Sequence, residues 1–288
     1  MKLASSGHAH PAVHRLPGPD GAGAGGAVPA VLAHATGFHG RVWGPTARRL
    51  PGYACHAVDL RGHGDTPVPD GYTFPWAEFG DDVLAAADGI AREPGTGLVG
   101  IGHSAGGAAL IFAEAARPGT FAALWLFEPA VFAPPLPGGV LENPLIEPTR
   151  RRRPAFADRA EALRNFGSKP PMASFDPEAL EAYVDHGFTA EGDRIRLKCL
   201  PDNEAQVYVS SVVSEAYDAM AEIRCPVLLV YGEQTGTDTR RRLTDRLPKG
   251  ELEVHEDLDH FGPLTHPERA AASIAAWFGG LGLGPDAG

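Results

Sequence analysis

Leu98-Val99-Gly100-Ile101-Gly102-His103-Ser104-Ala105-Gly106-Gly107-Ala108-Ala109-Leu110-Ile111-Phe112-Ala113 changes character at Ser104. Before the serine the run is apolar and short, as in a strand buried on both faces of a parallel sheet. After it, Ala105–Ala116 is small and apolar on most sides, as in a helix packed flat on a sheet. The glycines of the intervening G-x-S-x-G permit a tight strand-to-helix turn that lifts the serine hydroxyl above the sheet. The spacing therefore predicts strand, Ser104 at a sharp turn, then helix.

The same alternation extends in both directions. Val28–Ala33, Ala54–Leu60, Ala122–Phe127, Val227–Tyr231 and Leu252–Glu256 read as further strands, each bounded by turn residues. Trp76–Ala91, Thr239–Leu247 and Pro267–Phe278 read as helices, with Pro267 suited to a first helical turn. Alternating strands and helices predict an α/β fold with a mostly parallel central sheet flanked by helices. Residues 133–221 break the pattern: Pro-rich first, then basic, then helical over Pro177–His186 and Asn203–Ala219. They are read as an inserted helical cap over the carboxyl ends of the strands. The core is then 1–132 and 222–288. Residues 17–29 read as a flexible Gly/Ala loop.

Composition narrows the class. The chain has 288 residues, 43% hydrophobic and 21% charged, which excludes fibrous and largely disordered classes. With 25 Lys and Arg against 36 Asp and Glu, the net charge is −11, which argues against nucleic-acid and anionic-membrane partners. Three cysteines without a CxxC pair argue against a disulfide scaffold or zinc ribbon, and the histidine and cysteine spacings offer no metal-ligand cluster. His8 and His10 form only an H-x-H. Residues 1–10 carry Lys2 but no apolar run, and no apolar stretch is long enough to span a bilayer. The expectation is a cytoplasmic protein acting on a small molecule, without cofactor or metal. Oligomeric state is not legible.

The chain resembles the α/β-hydrolase fold superfamily over residues ~27–280. The likeness rests on His34-Ala35-Thr36-Gly37-Phe38, Asp59-Leu60-Arg61-Gly62-His63-Gly64, Gly102–Gly106 and Asp259-His260-Phe261-Gly262-Pro263, in the family's order. It implies that Ser104 is a nucleophile and that His260, after the last strand, is the base that activates it. The commonest family position for the triad acid is here Thr235, in Gly232-Glu233-Gln234-Thr235-Gly236-Thr237-Asp238. Some branches place the acid after the strand that follows the nucleophile helix. Glu128 stands there, 24 residues beyond Ser104. A carboxylate ending a buried strand is costly unless paired, and a protonated histidine would explain it. Glu128 is the first choice, Asp238 the alternative, and Glu233 the remainder. Asp238 also reads simply as a charge at the N-terminus of the following helix.

The resemblance further implies an oxyanion hole from the N–H of Ala105 and of Thr36, with Phe38 as alternative; Ala35 replaces the family's usual glycine. His103 is read as packing beneath the site and His63 as supporting a loop. Arg150-Arg151-Arg152-Arg153 reads as a solvated surface run, or as a clamp for an anionic substrate. Phe132, Phe156, Phe166, Phe175, Tyr183 and Phe188 would line a pocket or form the core of the insertion. Leu197–Ala205 reads as a connection into a helix. A serine nucleophile suits acyl transfer to water: hydrolysis of an ester, lactone or thioester. The alternatives are hydrolysis of a carbon–carbon bond in a diketone-like substrate, and a catalytically retired protein that binds a small molecule.

Overall fold

A computed structural model describes residues 10–19, 27–92, 95–134, 143–211 and 215–285. Much of the Gly/Ala loop, His8 and the Pro-rich start of the insertion lie outside the described residues. The chain opens with β1 (Val13–Arg15) and β2 (Val28–Ala33), followed by a 3-10 turn (Gly40–Trp43) and α1 (Gly44–Ala47). Then come β3 (Tyr53–Val58), α2 (Ala77–Gly89), β4 (Val99–His103), α3 (Ala105–Ala116) and β5 (Ala123–Phe127).

Between β5 and the next long strand lie α4 (Ile146–Arg150), β6 (Ala155–Phe156), α5 (Arg159–Gly167), α6 (Pro177–Gly187), β7 (Phe188–Glu191), β8 (Arg194–Leu197), α7 (Pro201–Val209) and α8 (Glu215–Met220). The chain then returns through β9 (Val227–Tyr231), α9 (Thr237–Arg246), β10 (Gly250–Val254), α10 (Gly262–Thr265) and α11 (Pro267–Gly280).

The main sheet has the order β1-β3-β2-β4-β5-β9-β10. Every neighbouring pair is parallel except β1 with β3. Strand residues alternate between two cores because successive side chains leave opposite faces. Leu124 and Leu126 pack with α2 and α3, while Ala123, Trp125 and Phe127 pack with α1 and α11. Helices on both faces are why these strands read as unbroken apolar runs rather than alternating ones. The Trp125 indole N–H donates to Ser273 Oγ at 2.9 Å, and Trp277 donates to the Leu124 carbonyl at 3.0 Å. Both bonds fix α11 against β5.

From β2 the chain passes to β3 on one side, then to β4 on the other. The loops after β2 and β4 therefore part at a topological switch point, where open parallel sheets form ligand crevices. Glycine makes the approach there possible. A Cβ on Gly106 would stand 2.2 Å from the Ala33 carbonyl oxygen, so α3 begins directly against the end of β2.

The insertion is not helix alone. It also holds a three-stranded antiparallel sheet, β6-β8-β7. The helix expected over 203–219 is represented by α7 and α8, and α7 ends in a turn at Ser210 and Ser211. Phe156, Phe175, Tyr183 and Phe188 pack into one core with Phe38 and Val42 from the loop after β2 and with Leu264. The insertion is further tied down by Trp76 Nε1 donating to the Val207 carbonyl and by Asp176 N donating to the Leu264 carbonyl. No helix among the described residues is long and apolar enough to cross a membrane.

Candidate active site

Ser104 caps α3 with φ 52° and ψ −117°, a conformation costly for a non-glycine residue. Its backbone is held on both sides. Ser104 N donates to Phe127 O at 3.0 Å, and Ala130 N donates to Ser104 O at 3.0 Å. The strained turn aims the serine at a cavity of about 780 Å³ that Thr36, Glu128 and His260 also line.

His260 lies in the loop between β10 and α10. His103, directly before the serine, meets the His260 carbonyl through Nε2 at 2.7 Å, and the two rings lie 5.1 Å apart. His103 thus braces the loop that carries His260, as its position beneath the site suggested.

Glu128 follows β5 at φ 43°, a second left-handed residue at the strand ends. Its side chain is 9% exposed, and Oε2 lies 3.7 Å from His260 Nδ1. Two donors orient the carboxylate: Gly232 N to Oε1 at 2.8 Å and the Thr235 hydroxyl to Oε2 at 2.7 Å. Thr235 occupies the position where the resemblance expects the acid most often. Here that residue is a hydrogen-bond donor to a carboxylate arriving from the neighbouring strand.

Asp238 is elsewhere. It sits in the first turn of α9 with a 91% exposed side chain, paired with Arg241 at 3.5 Å. That is the helix N-terminal role, and the structure does not bring Asp238 to His260. Glu233 is exposed as well.

Thr36 lines the cavity, and Ala105 directly follows Ser104, which also lines it. Among the described residues, neither Thr36 N nor Ala105 N has an acceptor. Phe38 N is spent on the Ala35 carbonyl at 3.2 Å, which removes the alternative donor. His34 fixes this loop: its Nδ1–H donates to Ala35 O at 2.8 Å, and its Nε2 accepts from Leu60 N at 3.0 Å.

The arginine run divides. Arg150 pairs with Glu147 at 2.8 Å, Arg151 is exposed beside the same carboxylate, and Arg153 pairs with Glu161 at 2.8 Å and covers the Phe156 ring. None of these three lines the cavity. Arg152 does, but it is bound to the buried carboxylate of Glu204 and to the Tyr183 hydroxyl at 2.9 Å. A four-arginine anion clamp is therefore not what the fold assembles. Of the aromatic residues named from the sequence, Phe132 lines the cavity, while Phe156, Phe166, Phe175, Tyr183 and Phe188 pack the insertion. Glu204 and Tyr208 line the cavity too, and no local sequence signal marked them.

Among the described residues, His14, Asp59 and Asp65 offer three potential metal ligands within 4.8 Å of one another. Protein donors already occupy this group. Asp59 accepts from Gly40 N at 2.7 Å and Asp65 N at 2.8 Å and meets His14 Nε2 at 2.8 Å, while Lys198 pairs with Asp65 at 2.6 Å.

Buried histidines set an acid limit on the fold. Burial lowers His39 and His63 to about 3 and holds His34 and His103 below the ordinary 6.5. These rings stay neutral when folded but take up protons when unfolded below about 6.5. The part of the stability that rests on His39 and His63 is therefore complete above that pH and is lost as pH falls toward 3, at roughly 1.4 kcal/mol per ring per pH unit. Urea unfolding between pH 7 and pH 5 should show this as a steep loss; equal stability at both would contradict it.

A family model described as "Alpha/beta hydrolase family" matches residues 30–273. Lipase LipV of Mycobacterium tuberculosis is 29% identical over 267 residues, covering 89% of this chain and 95% of that protein. The pimeloyl-acyl-carrier-protein methyl ester esterase of Neisseria meningitidis serogroup A is 30% identical over 254 residues, covering 84% and 73%. The solved peroxisomal alpha-beta-hydrolase Lpx1 from Saccharomyces cerevisiae shares the fold with a TM-score of 0.76 at 21% identity, covering 89% of this chain and 78% of that one.

Proposed function

The chain belongs to the alpha/beta hydrolase family, and from that premise we propose that it hydrolyses carboxylic esters through an acyl-enzyme on Ser104, with His260 as base and Glu128 as the triad acid. The observation that carries this reading is the convergence of three parts. A serine on a left-handed turn and a histidine line one cavity, and the Nδ1 side of that histidine faces a buried carboxylate held by Gly232 and Thr235. The lipase and esterase names of the relatives support ester chemistry.

The steps are those by which a serine, a histidine and an acid hydrolyse an ester. Ser104 Oγ attacks the ester carbonyl as His260 Nε2 takes its proton. The resulting imidazolium is stabilised by Glu128 at its Nδ1. The tetrahedral oxyanion is received by Thr36 N–H and Ala105 N–H, the two donors with no acceptor of their own. Collapse expels the alcohol, which leaves with the proton from His260. Water then gives its proton to His260 and attacks the acyl-enzyme, releasing the acid and restoring Ser104. Lactones and thioesters fit the same steps. Residues 133–221 serve as the cap over the site, and residues 1–132 and 222–288 form the catalytic core.

Initial rates on p-nitrophenyl esters of graded chain length test the reading. Ser104-dependent turnover supports it. Binding of such esters without turnover favours the retired binding protein. Thr235→Val should lower kcat about 10-fold with a smaller change in KM, because it removes a hydroxyl that orients the charged partner of His260. Thr235→Ser should restore the rate. Equal rates for the Val and Thr forms would mean that the hydroxyl does not position the acid.

A further inference from the structure

The cavity wall carries a buried ion pair that the mechanism does not use. Arg152 on the turn after α4 binds Glu204 of α7, and the Glu204 side chain is 7% exposed. An ion pair of this kind is seldom needed for the fold, since apolar side chains of similar volume commonly serve as well. Its placement suggests a different purpose. Glu204 Oε1 lies 2.6 Å from where a Cβ on Gly37 would stand, so the carboxylate rests directly on the residue after Thr36. The pair therefore adjoins the N–H assigned to the scissile carbonyl oxygen.

Hydrogen-bonding capacity is left over on this wall. Arg152 spends one bond on Glu204 and one on the Tyr183 hydroxyl. A guanidinium has five N–H donors, and besides these two bonds the Arg152 guanidinium meets the Phe166 ring, 5.8 Å from its centroid, which leaves donors over. Arg152 is partly open and lines the cavity, as does Tyr208, whose hydroxyl also has no partner among the described residues. The charges of Arg152 and Glu204 cancel. An anionic group entering here would meet the Glu204 carboxylate as well as the guanidinium. A plain alkyl chain would leave the spare donors dry. A hydroxyl matches both members, because it accepts from Arg152 and donates to Glu204.

We propose that Arg152 and Glu204 form a polar subsite for a hydroxyl on the acyl chain close to the scissile carbonyl, so that the preferred substrates are neutral hydroxyacyl esters. This rests on the ester-hydrolase reading, and binding to a variant that cannot turn over separates the two. Calorimetric titration of the Ser104→Ala protein with methyl 3-hydroxyoctanoate, methyl octanoate and monomethyl suberate supplies the readout.

The hydroxy ester should bind about 10- to 100-fold more tightly than methyl octanoate, and the anionic ester should bind weakest. In the same background, Arg152→Met with Glu204→Leu should bring the ratio of the two neutral esters to about one. Arg152→Lys, which keeps the charge but not the planar fork, should lower the ratio several-fold and serves if the double variant does not fold. Undetectable binding of the hydroxy ester, equal or tighter binding of either comparison ester, or a ratio that survives these changes overturns the proposal. Failure of the wild type to hydrolyse any ester overturns the ester-hydrolase reading instead and leaves the binding ratio to be read on its own.

Discussion

Replacing Ser104 by alanine should lower kcat for p-nitrophenyl butyrate by about 10⁶-fold, the size of loss seen when a serine nucleophile is removed from a triad. The serine contributes no packing that the fold depends on. Its backbone bonds to Phe127 and Ala130 are made by main-chain atoms, which alanine keeps. Unfolding of the variant should therefore stay within about 1 kcal/mol of wild type. The strain of φ 52° is a property of the turn and is equally imposed on alanine. A Ser104→Ala protein that is folded and retains a tenth of wild-type turnover would place the nucleophile elsewhere.

The second large effect separates two carboxylates. Glu128→Gln should lower kcat by about 10³- to 10⁴-fold, since an amide cannot balance the imidazolium and favours the wrong tautomer of His260. Glutamine keeps the shape and one acceptor oxygen, so the bond from Gly232 N or from the Thr235 hydroxyl is retained and the fold is spared. Asp238→Asn should change kcat less than about twofold, because its exposed side chain pairs with Arg241 on the same helix. The sheet explains the difference. β5 lies beside β4, roughly 4.8 Å away, so a residue ending β5 is one strand from Ser104. Glutamate reaches across the end of β9 toward the loop after β10, where His260 sits. The reverse ranking of the two variants would return the acid to the α9 turn.

The central strands were legible because each is buried on both faces, which leaves an unbroken apolar run ending at turn residues. β2, β5 and β9 begin and end within a residue of that reading. β10 starts two residues earlier than its apolar run, because Gly250 and Glu251 pair with Val227 and Leu228 at a half-exposed edge. β1 was missed for a related reason: three residues, Val-His-Arg, pair antiparallel along one edge and bury little. The strands of the insertion are two to four residues long, and β7 and β8 mix Arg, Glu and Thr with apolar residues, a pattern no periodicity separates from loop.

The site shows the same division. The serine turn is a local signal in strand, glycines and helix, whereas the histidine loop is marked by its family resemblance. Thr235 was recognised as an acid position without an acid. What the sequence could not show was that its hydroxyl would point at Glu128, 107 residues earlier. Arg152 and Glu204 are likewise 52 residues apart, and only the packing of α4 against α7 brings them together. Within the arginine run, the direction each side chain takes is set by its place around the last turn of α4 and the bend after it. Composition therefore announced four cations, while the fold delivers one of them to the cavity.

The most direct test of the central claim is labelling with a fluorophosphonate followed by peptide mapping of the intact chain. The expected result is a single stoichiometric phosphonyl adduct on Ser104, abolished in Ser104→Ala and slowed by orders of magnitude in Glu128→Gln. An adduct on another residue, or no adduct in a folded protein that binds the ester probes, would contradict an activated Ser104.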